Sequence, residues 1–145
     1  MNGLTGATNY TFVVYATNAI GNSANSSASN SITALTVPGA PTIGTAISTG
    51  TSTATVSYTA PTSNGGSTIT SYTAVSSPGG KTGTLSQATS GTITVTGLSP
   101  STSYTFTVYA TNALGNSSNS AASNSITTSA LVLTYLVVAG GGGGG

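Results

Sequence analysis

The side chains that could do chemistry in this sequence are one cation and many hydroxyls. Lys81, in the stretch PGGKTG, is the only charged residue, and the chain has no Asp, Glu, His or Cys. A serine nucleophile needs a neighbouring base, for which Lys81 is the only candidate. We expect Lys81 to be a solvated turn residue, because a glycine-rich loop does not provide the burial that a reactive amine requires. The composition therefore predicts no acid–base catalysis and no enzyme active site.

Metal, phosphate and nucleic-acid sites are excluded on similar grounds. Zinc needs Cys, His or carboxylate ligands and calcium needs several carboxylates, and the sequence contains none of these. Gly79 and Gly80 precede Lys81, but the Walker spacing is not met, so a turn explains them better than a phosphate cradle. A net charge of +1 makes no basic patch for nucleic acid. No cofactor is predicted.

The elements that must position any site are predicted to be short β-strands. Alternation of apolar and polar residues, rich in Thr, Val, Ile and Tyr, indicates strands at 53–58, 69–75, 92–98 and 104–111. Further strands are expected at 41–48, near Thr82–Leu85 and over much of 118–128. About seven strands with one apolar face each predict an all-β, two-sheet sandwich. The inward-facing residues predicted for its core are Val56, Tyr58, Tyr72, Ile93, Val95, Phe106 and Val108.

One phrase of the sequence occurs twice. Residues 3–33 align without gaps with residues 97–127, and Tyr10 matches Tyr104, an interval of 94 residues (104 − 10). That interval suits a repeated β-sandwich and is too long for a solenoid unit. The predicted organisation is the C-terminal strands of a preceding module at 1–33, a linker at 34–40, a complete module at 41–128, and an apolar strand with a truncated glycine-rich tail at 129–145.

Three segments carry a resemblance to a known family. LSPSTSYTFTVYATNALG at 98–115 resembles the fibronectin type III module, and VPGAPT at 37–42 and APTSNGGSTITSY at 60–72 look like two of its connecting segments. The resemblance implies a seven-stranded, immunoglobulin-like β-sandwich. It also implies a tyrosine corner, in which the Tyr104 hydroxyl bonds the backbone near Leu98, with Pro100 in the same corner.

The sequence departs from this family in two places. The tryptophan usual on the second strand is replaced by Tyr58, whose hydroxyl needs a partner or water. The loop that carries Arg-Gly-Asp in some members reads NALGNSSN here, so integrin-type adhesion is not expected. The C-terminal LVLTYLVVAGGGGGG resembles the start of glycine-rich domains that follow such repeats in phage tail and bacterial surface proteins.

Three side chains are candidates for contact with a ligand. Tyr109 faces outward by alternation and could stack on a sugar ring, although packing across neighbouring strands is the simpler interpretation. Asn64 and Asn112 belong to loops at 60–68 and 112–118 that could act with it. The unmatched apolar face of residues 1–33 leads to a further hypothesis, that this hairpin docks on a sheet edge in the same chain or in another copy.

The predicted function is a non-catalytic spacer or adhesion module of a tandem-repeat protein that is extracellular, at the cell surface or on a virion, as in a tail fibre. Its expected partners are neighbouring modules of the same chain, with surface glycans or another copy through strand pairing as further candidates. The alternatives are an accessory module of a secreted polysaccharide-degrading enzyme and a carbohydrate-binding module. No nucleic acid partner is expected, and no membrane insertion, because the apolar stretch at 130–139 is too short to span a bilayer.

Overall fold

The computed structural model describes residues 3–135, which form ten β-strands and no helix. The all-β fold is therefore confirmed. Within the same residues, no helix is long and apolar enough to cross a membrane. The strands are β1 (Asn9–Tyr10), β2 (Ile32–Thr33), β3 (Thr42–Ser48), β4 (Ala54–Thr59), β5 (Ser71–Ser77), β6 (Thr82–Leu85), β7 (Gly91–Val95), β8 (Ser103–Asn112), β9 (Gly115–Asn116) and β10 (Ile126–Thr127).

Eight of these strands form two antiparallel sheets that face each other. One sheet has the order β10-β8-β5-β6, with the short β9 returning onto β8, and the other has the order β3-β4-β7. Ala74 lies opposite Val108 in the first sheet and Val56 lies opposite Ile93 in the second. All four side chains are at most 1% exposed. The core therefore lies between the sheets, where the two apolar faces meet.

Strand β8 shows most clearly why this sequence forms strands. Phe106 and Val108 on its inward face are fully buried, whereas Thr105 and Thr107 on the other face are only half-buried. A period of two in burial matches the period of two in residue type, which is the pattern of a strand with one face on the core. β-Branched Thr also suits the pleated outer face. The strand therefore supplies the core from alternate positions over its whole length.

The strand predicted over much of 118–128 is wrong for most of its length. Only β10 pairs as a regular strand there, with Ile126 opposite Tyr104. Before β10, Ser117, Ser120 and Ser123 follow β8 with a spacing of three residues instead of two. We call these three residues the serine ladder.

Each serine of the ladder bonds both backbone groups of one β8 residue. The Ser120 N–H donates to the Val108 carbonyl at 2.8 Å, and the Ser120 Oγ accepts the Val108 N–H at 2.9 Å. Ser117 and Ser123 make the same two bonds with Ala110 and Phe106, at 2.8 to 3.0 Å. Each serine hydroxyl accepts the β8 N–H that a backbone carbonyl accepts in a regular strand. The segment therefore needs one extra residue to reach the next β8 residue with which it pairs. The period of three follows from this substitution.

Residues 3–33 form a hairpin of the same design without a facing sheet. Tyr10 of β1 lies opposite Ile32 of β2, as Tyr104 lies opposite Ile126 in the sandwich. Its inward face is nevertheless left open, since Val14 is 71% exposed where its counterpart Val108 is fully buried. The equivalent serines, Ser23, Ser26 and Ser29, make the ladder contacts with Ala16, Val14 and Phe12.

The C-terminal segment is described only in part. Residues 129–135, where the predicted apolar strand begins, form no strand. Ser129 still belongs to the sandwich, because its N–H donates to the Gly50 carbonyl at 3.0 Å. The rest of that predicted strand and the glycine run lie outside the described residues.

The two copies of the hairpin allow a matched test of the core. Phe106→Ala removes a fully buried ring and should lower the free energy of unfolding of the sandwich by about 3–5 kcal/mol. Phe12→Ala removes the equivalent half-buried ring of the hairpin and should change the free energy of unfolding of the sandwich by less than about 1 kcal/mol. Urea unfolding followed by tyrosine fluorescence measures both, and equal effects would contradict the assignment of the core.

Candidate interaction site at the loop end of the sandwich

Lys81 lies in an exposed turn after β5, as the sequence predicts. The buried Ser76 beside this turn accepts the Lys81 N–H on its Oγ at 2.9 Å and donates to the Pro78 carbonyl at 3.1 Å. Its hydroxyl is therefore committed to holding the turn. Ser76 and Lys81 are therefore not paired as a nucleophile and its base, and their contacts stabilise the turn.

Three segments meet at the end of the sandwich where β3 begins. They are the predicted linker at 34–40, the loop between β4 and β5 at 60–70, and the turn between β8 and β9 at 113–114. We call this the loop end. It holds Asn64 and Asn112, two of the three predicted ligand-facing residues. The chain also enters the sandwich here, so the contacts of the loop end decide how the preceding hairpin is attached.

Asn112, the last residue of β8, joins all three segments. Its amide nitrogen Nδ2 donates to the Thr36 carbonyl at 2.9 Å and to the Asn64 carbonyl at 3.0 Å. Its amide oxygen Oδ1 accepts the Leu114 N–H at 2.8 Å. The side chain is 4% exposed. Asn112 is thus a buried clamp between the linker and two loops, with its amide hydrogens used inside the protein.

Backbone hydrogen bonds fix the linker at two further points. The Thr36 N–H donates to the Gly65 carbonyl and the Gly39 N–H to the Ser63 carbonyl, both at 2.9 Å. Gly65 has a positive φ of 72°, and a Cβ at this residue would collide with the Thr36 carbonyl. Only glycine meets both conditions. The segment predicted as a linker is therefore held against the module, as part of it.

Two tyrosines whose rings pack against each other at a tilt hold the loop at 86–90 beside the loop end. The rings of Tyr58 and Tyr72 lie 4.3 Å apart between centroids. Their hydroxyls donate to the Thr89 carbonyl at 3.0 Å and the Ala88 carbonyl at 3.2 Å, and Gln87 donates to the Tyr58 hydroxyl. Burial raises the pKa of both tyrosines, and the charge of Tyr58 raises that of Tyr72 further. The hydroxyl that Tyr58 brings in place of the family's tryptophan thus has partners.

The structure separates the three ligand-facing candidates. Asn64 is exposed on an open groove of about 420 Å³ between the loops at 60–69 and Ala88, which has no aromatic side chain in its lining. Asn112 is committed to the clamp. Tyr109 lies half-buried on the outer face of the five-stranded sheet, opposite Thr73. These positions do not converge on one ligand.

The corner at the opposite end of β8 is built around Tyr104. Its hydroxyl accepts the Ser99 N–H at 3.0 Å, the neighbourhood that the family resemblance implies. This bond lowers the pKa of the phenol. Leu98 is buried below it and donates its N–H to the Ser52 carbonyl at 3.0 Å, while Pro100 is exposed at the turn. The corner thus ties the crossing between β7 and β8 to the core.

Sequence reasoning did not find the role of the clamp. The sequence predicts Asn112 as a ligand-facing residue of the loop at 112–118, because nothing in its neighbourhood along the chain indicates that it is buried. Its two acceptors lie 48 and 76 residues away. The one available signal was the recurrence of Asn18 at the equivalent position of the hairpin.

Replacement of Asn112 tests the clamp. Asn112→Ala leaves the Thr36 and Asn64 carbonyls without their shared donor and should lower the free energy of unfolding by about 1–3 kcal/mol. It should also speed protease cleavage within 34–37. Asn18→Ala is the matched control, since the side chain of Asn18 accepts only the N–H groups of Ile20 and Gly21, within its own turn. Limited proteolysis with urea unfolding measures both effects. Unchanged cleavage in Asn112→Ala would show that the clamp does not hold the linker.

The tyrosines predict how stability depends on pH. With no Asp, Glu or His, stability should be flat between about pH 5 and 9. The pKa of Tyr72 is raised on folding, so its contribution is complete below the unfolded pKa and is lost as the pH rises through the folded pKa. The pKa of Tyr104 is lowered, so its contribution grows over the same alkaline range. Tyr72→Phe should therefore reduce the alkaline loss of stability and Tyr104→Phe should increase it. Urea midpoints measured from pH 5 to about 11 test this, and equal alkaline slopes in all three proteins would contradict it.

Known proteins share both the sequence pattern and the fold. The family model described as fibronectin type III domain matches residues 39–126. Chitinase A1 of Niallia circulans is 38% identical and endoglucanase B of Cellulomonas fimi is 34% identical, each over 127 aligned residues that cover 81% of this chain. The chain spans only 17% and 12% of the lengths of those two relatives.

Solved structures share the fold of this chain. A segment of titin superposes with a TM-score of 0.59 at 27% identity, over 88% of this chain and 44% of that one. The extracellular region of rat CD45 has a TM-score of 0.55 at 21% identity, over 88% of this chain and 67% of that one, and shows the fold alone. From the matched residues, the two-sheet sandwich and these relatives together, it follows that the chain belongs to the fibronectin type III family.

Proposed function

We propose that the chain is a non-catalytic spacer or adhesion module of an extracellular tandem-repeat protein. The observation that carries this proposal is the docked linker. Asn112 and the backbone of Gly65 both bond Thr36, so the direction in which the preceding hairpin leaves the module is set by hydrogen bonds. A chain of modules joined in this way keeps a defined course, which is what a spacer requires.

The repeated hairpin supports the tandem arrangement. Its inward residues Leu4, Tyr10, Phe12, Val14, Ala16 and Ile32 are identical to Leu98, Tyr104, Phe106, Val108, Ala110 and Ile126 of the sandwich. We propose that residues 1–33 are the closing strands of one module and residues 41–128 the next. Neighbouring modules of the same chain are then its first partners.

The chemistry of the surface supports a passive role. Lys81 is the only charged side chain and lies in an exposed turn, so the module has almost no electrostatic field with which to steer a charged partner. Its hydroxyls serve structure, as in Ser76 and the serine ladder. An active site would have to belong to another part of the parent protein.

Two kinds of parent protein fit this module. A virion tail fibre or a bacterial surface protein would use it as a spacer or as adhesive decoration. A polysaccharide-degrading enzyme would use it as an accessory module, and the similarity to a chitinase and an endoglucanase favours this second parent. The flanking coding sequence separates them, because a carboxylate-bearing catalytic domain indicates the enzyme and capsid or tail genes indicate the virion.

Binding to insoluble chitin and cellulose tests the spacer role against a carbohydrate-binding role. The full chain should stay in the supernatant with either polymer, as should Tyr109→Ala. Retention that is lost in Tyr109→Ala, and kept in the matched control Tyr15→Ala, would instead show that the outer sheet face binds sugars. Either polymer retaining the unsubstituted chain would contradict the spacer role.

A further inference from the structure

The edges of the two sheets pose a physical problem for this chain. Edge strands expose unpaired N–H and C=O groups that can recruit another strand, and proteins usually protect them with charged side chains or proline. The only charge in this sequence is Lys81, which lies in a turn. The edges must therefore be protected by neutral groups.

The serine ladder covers the outer edge of β8 without presenting a new edge. Each ladder hydroxyl, besides accepting a β8 N–H, donates to the carbonyl of the following residue. Ser117 bonds the Ser118 carbonyl at 2.8 Å and Ser120 bonds the Ala121 carbonyl at 2.7 Å. These carbonyls are therefore already occupied. The period of three also does not match the two-residue repeat that an incoming strand requires.

Asn124, one residue after the ladder, closes the edge of the other sheet. Its Oδ1 accepts the Ala46 N–H at 2.9 Å and its Nδ2 donates to the Ala46 carbonyl at 3.0 Å. The side-chain amide thus pairs with β3 as the backbone of another strand would. Next to this point, β3 carries a bulge, where the Ser57 Oγ accepts the Thr45 N–H at 2.8 Å and donates to its carbonyl. This side of the sandwich is bridged from sheet to sheet.

The opposite side is closed by direct backbone contact. Gly83 of β6 lies against Thr94 of β7, so closely that a Cβ on the glycine would overlap the Thr94 carbonyl. β6 and β7 are the outer strands of the two sheets on this side. The two sheets therefore approach each other closely at both sides of the sandwich.

We propose that the serine ladder and the Asn124 amide are an uncharged edge seal that keeps this module from joining other chains by strand addition. The seal needs both sheets. Asn30 occupies the position equivalent to Asn124 in the hairpin, which has a ladder of its own but no strand equivalent to β3. The two asparagines therefore form a matched pair within one chain.

The first experiment compares the full chain with its Asn124→Ala and Asn30→Ala variants by sedimentation velocity at neutral pH. Asn124→Ala should keep the circular dichroism spectrum of the unsubstituted chain and associate at concentrations at least about tenfold lower. Asn30→Ala should behave as the unsubstituted chain does. Association that is the same in both variants would overturn the proposal.

A second measurement uses the unsubstituted full chain and does not depend on how well a variant folds. Hydrogen exchange at the Ala46 amide should be slowed more than about tenfold relative to an unstructured peptide, although this N–H points away from β4 on an edge strand. Exchange at the unstructured rate would show that Asn124 does not cover the edge, and would also overturn the proposal. Neither result depends on whether the parent protein is an enzyme or a surface protein.

Discussion

Packing of strand β8 against the three-stranded sheet is the contact on which the rest of the sandwich depends. Phe106 and Val108 fill the space between the sheets, and removing such side chains from water is the main favourable contribution to folding. β8 also pairs with β5 along one edge and holds the serine ladder along the other. The hairpin at 3–33 has the same inward-facing residues in the same pairing, yet Val14 remains exposed because no second sheet faces it. A strand pattern alone thus builds a hairpin, and the facing sheet makes it a core.

A second constraint is that polar groups must be satisfied without charge. Within residues 3–135, every buried side-chain nitrogen and oxygen has a hydrogen-bond partner. Side-chain hydroxyls and amides make the hydrogen bonds to the backbone that peptide groups would otherwise make. Ser120 does so on β8, Asn124 on β3 and Asn112 at the loop end. Neutral hydrogen bonds are little affected by salt, whereas interactions between exposed charges are screened. The stability of a module built in this way should therefore depend little on salt concentration.

The two hairpins show which contacts are local and which are tertiary. Tyr10 accepts the Thr5 N–H at 2.8 Å just as Tyr104 accepts the Ser99 N–H at 3.0 Å, because the partners are five residues apart in both copies. The tyrosine corner therefore forms without the rest of the sandwich. The side-chain amide of Asn112 donates two hydrogen bonds, whereas that of Asn18 only accepts them. The difference arises because the acceptors of Asn112 come from the linker and from the loop at 60–70.

The sequence by itself determined the all-β class, the two-sheet sandwich, the repeated hairpin and the seven predicted core residues, all of which are buried. Alternation along 104–111 and along 92–98 depends only on neighbouring residues, so it can be read directly. The tertiary structure decided the rest. The segment at 118–125 is not a regular strand, because Ser120 and its equivalents bond β8 through their hydroxyls, and a rule based on alternation does not include side chains as strand acceptors. The linker is docked and Asn112 is buried because residues distant in the chain meet at the loop end, and contacts over such separations leave no periodic trace in the sequence.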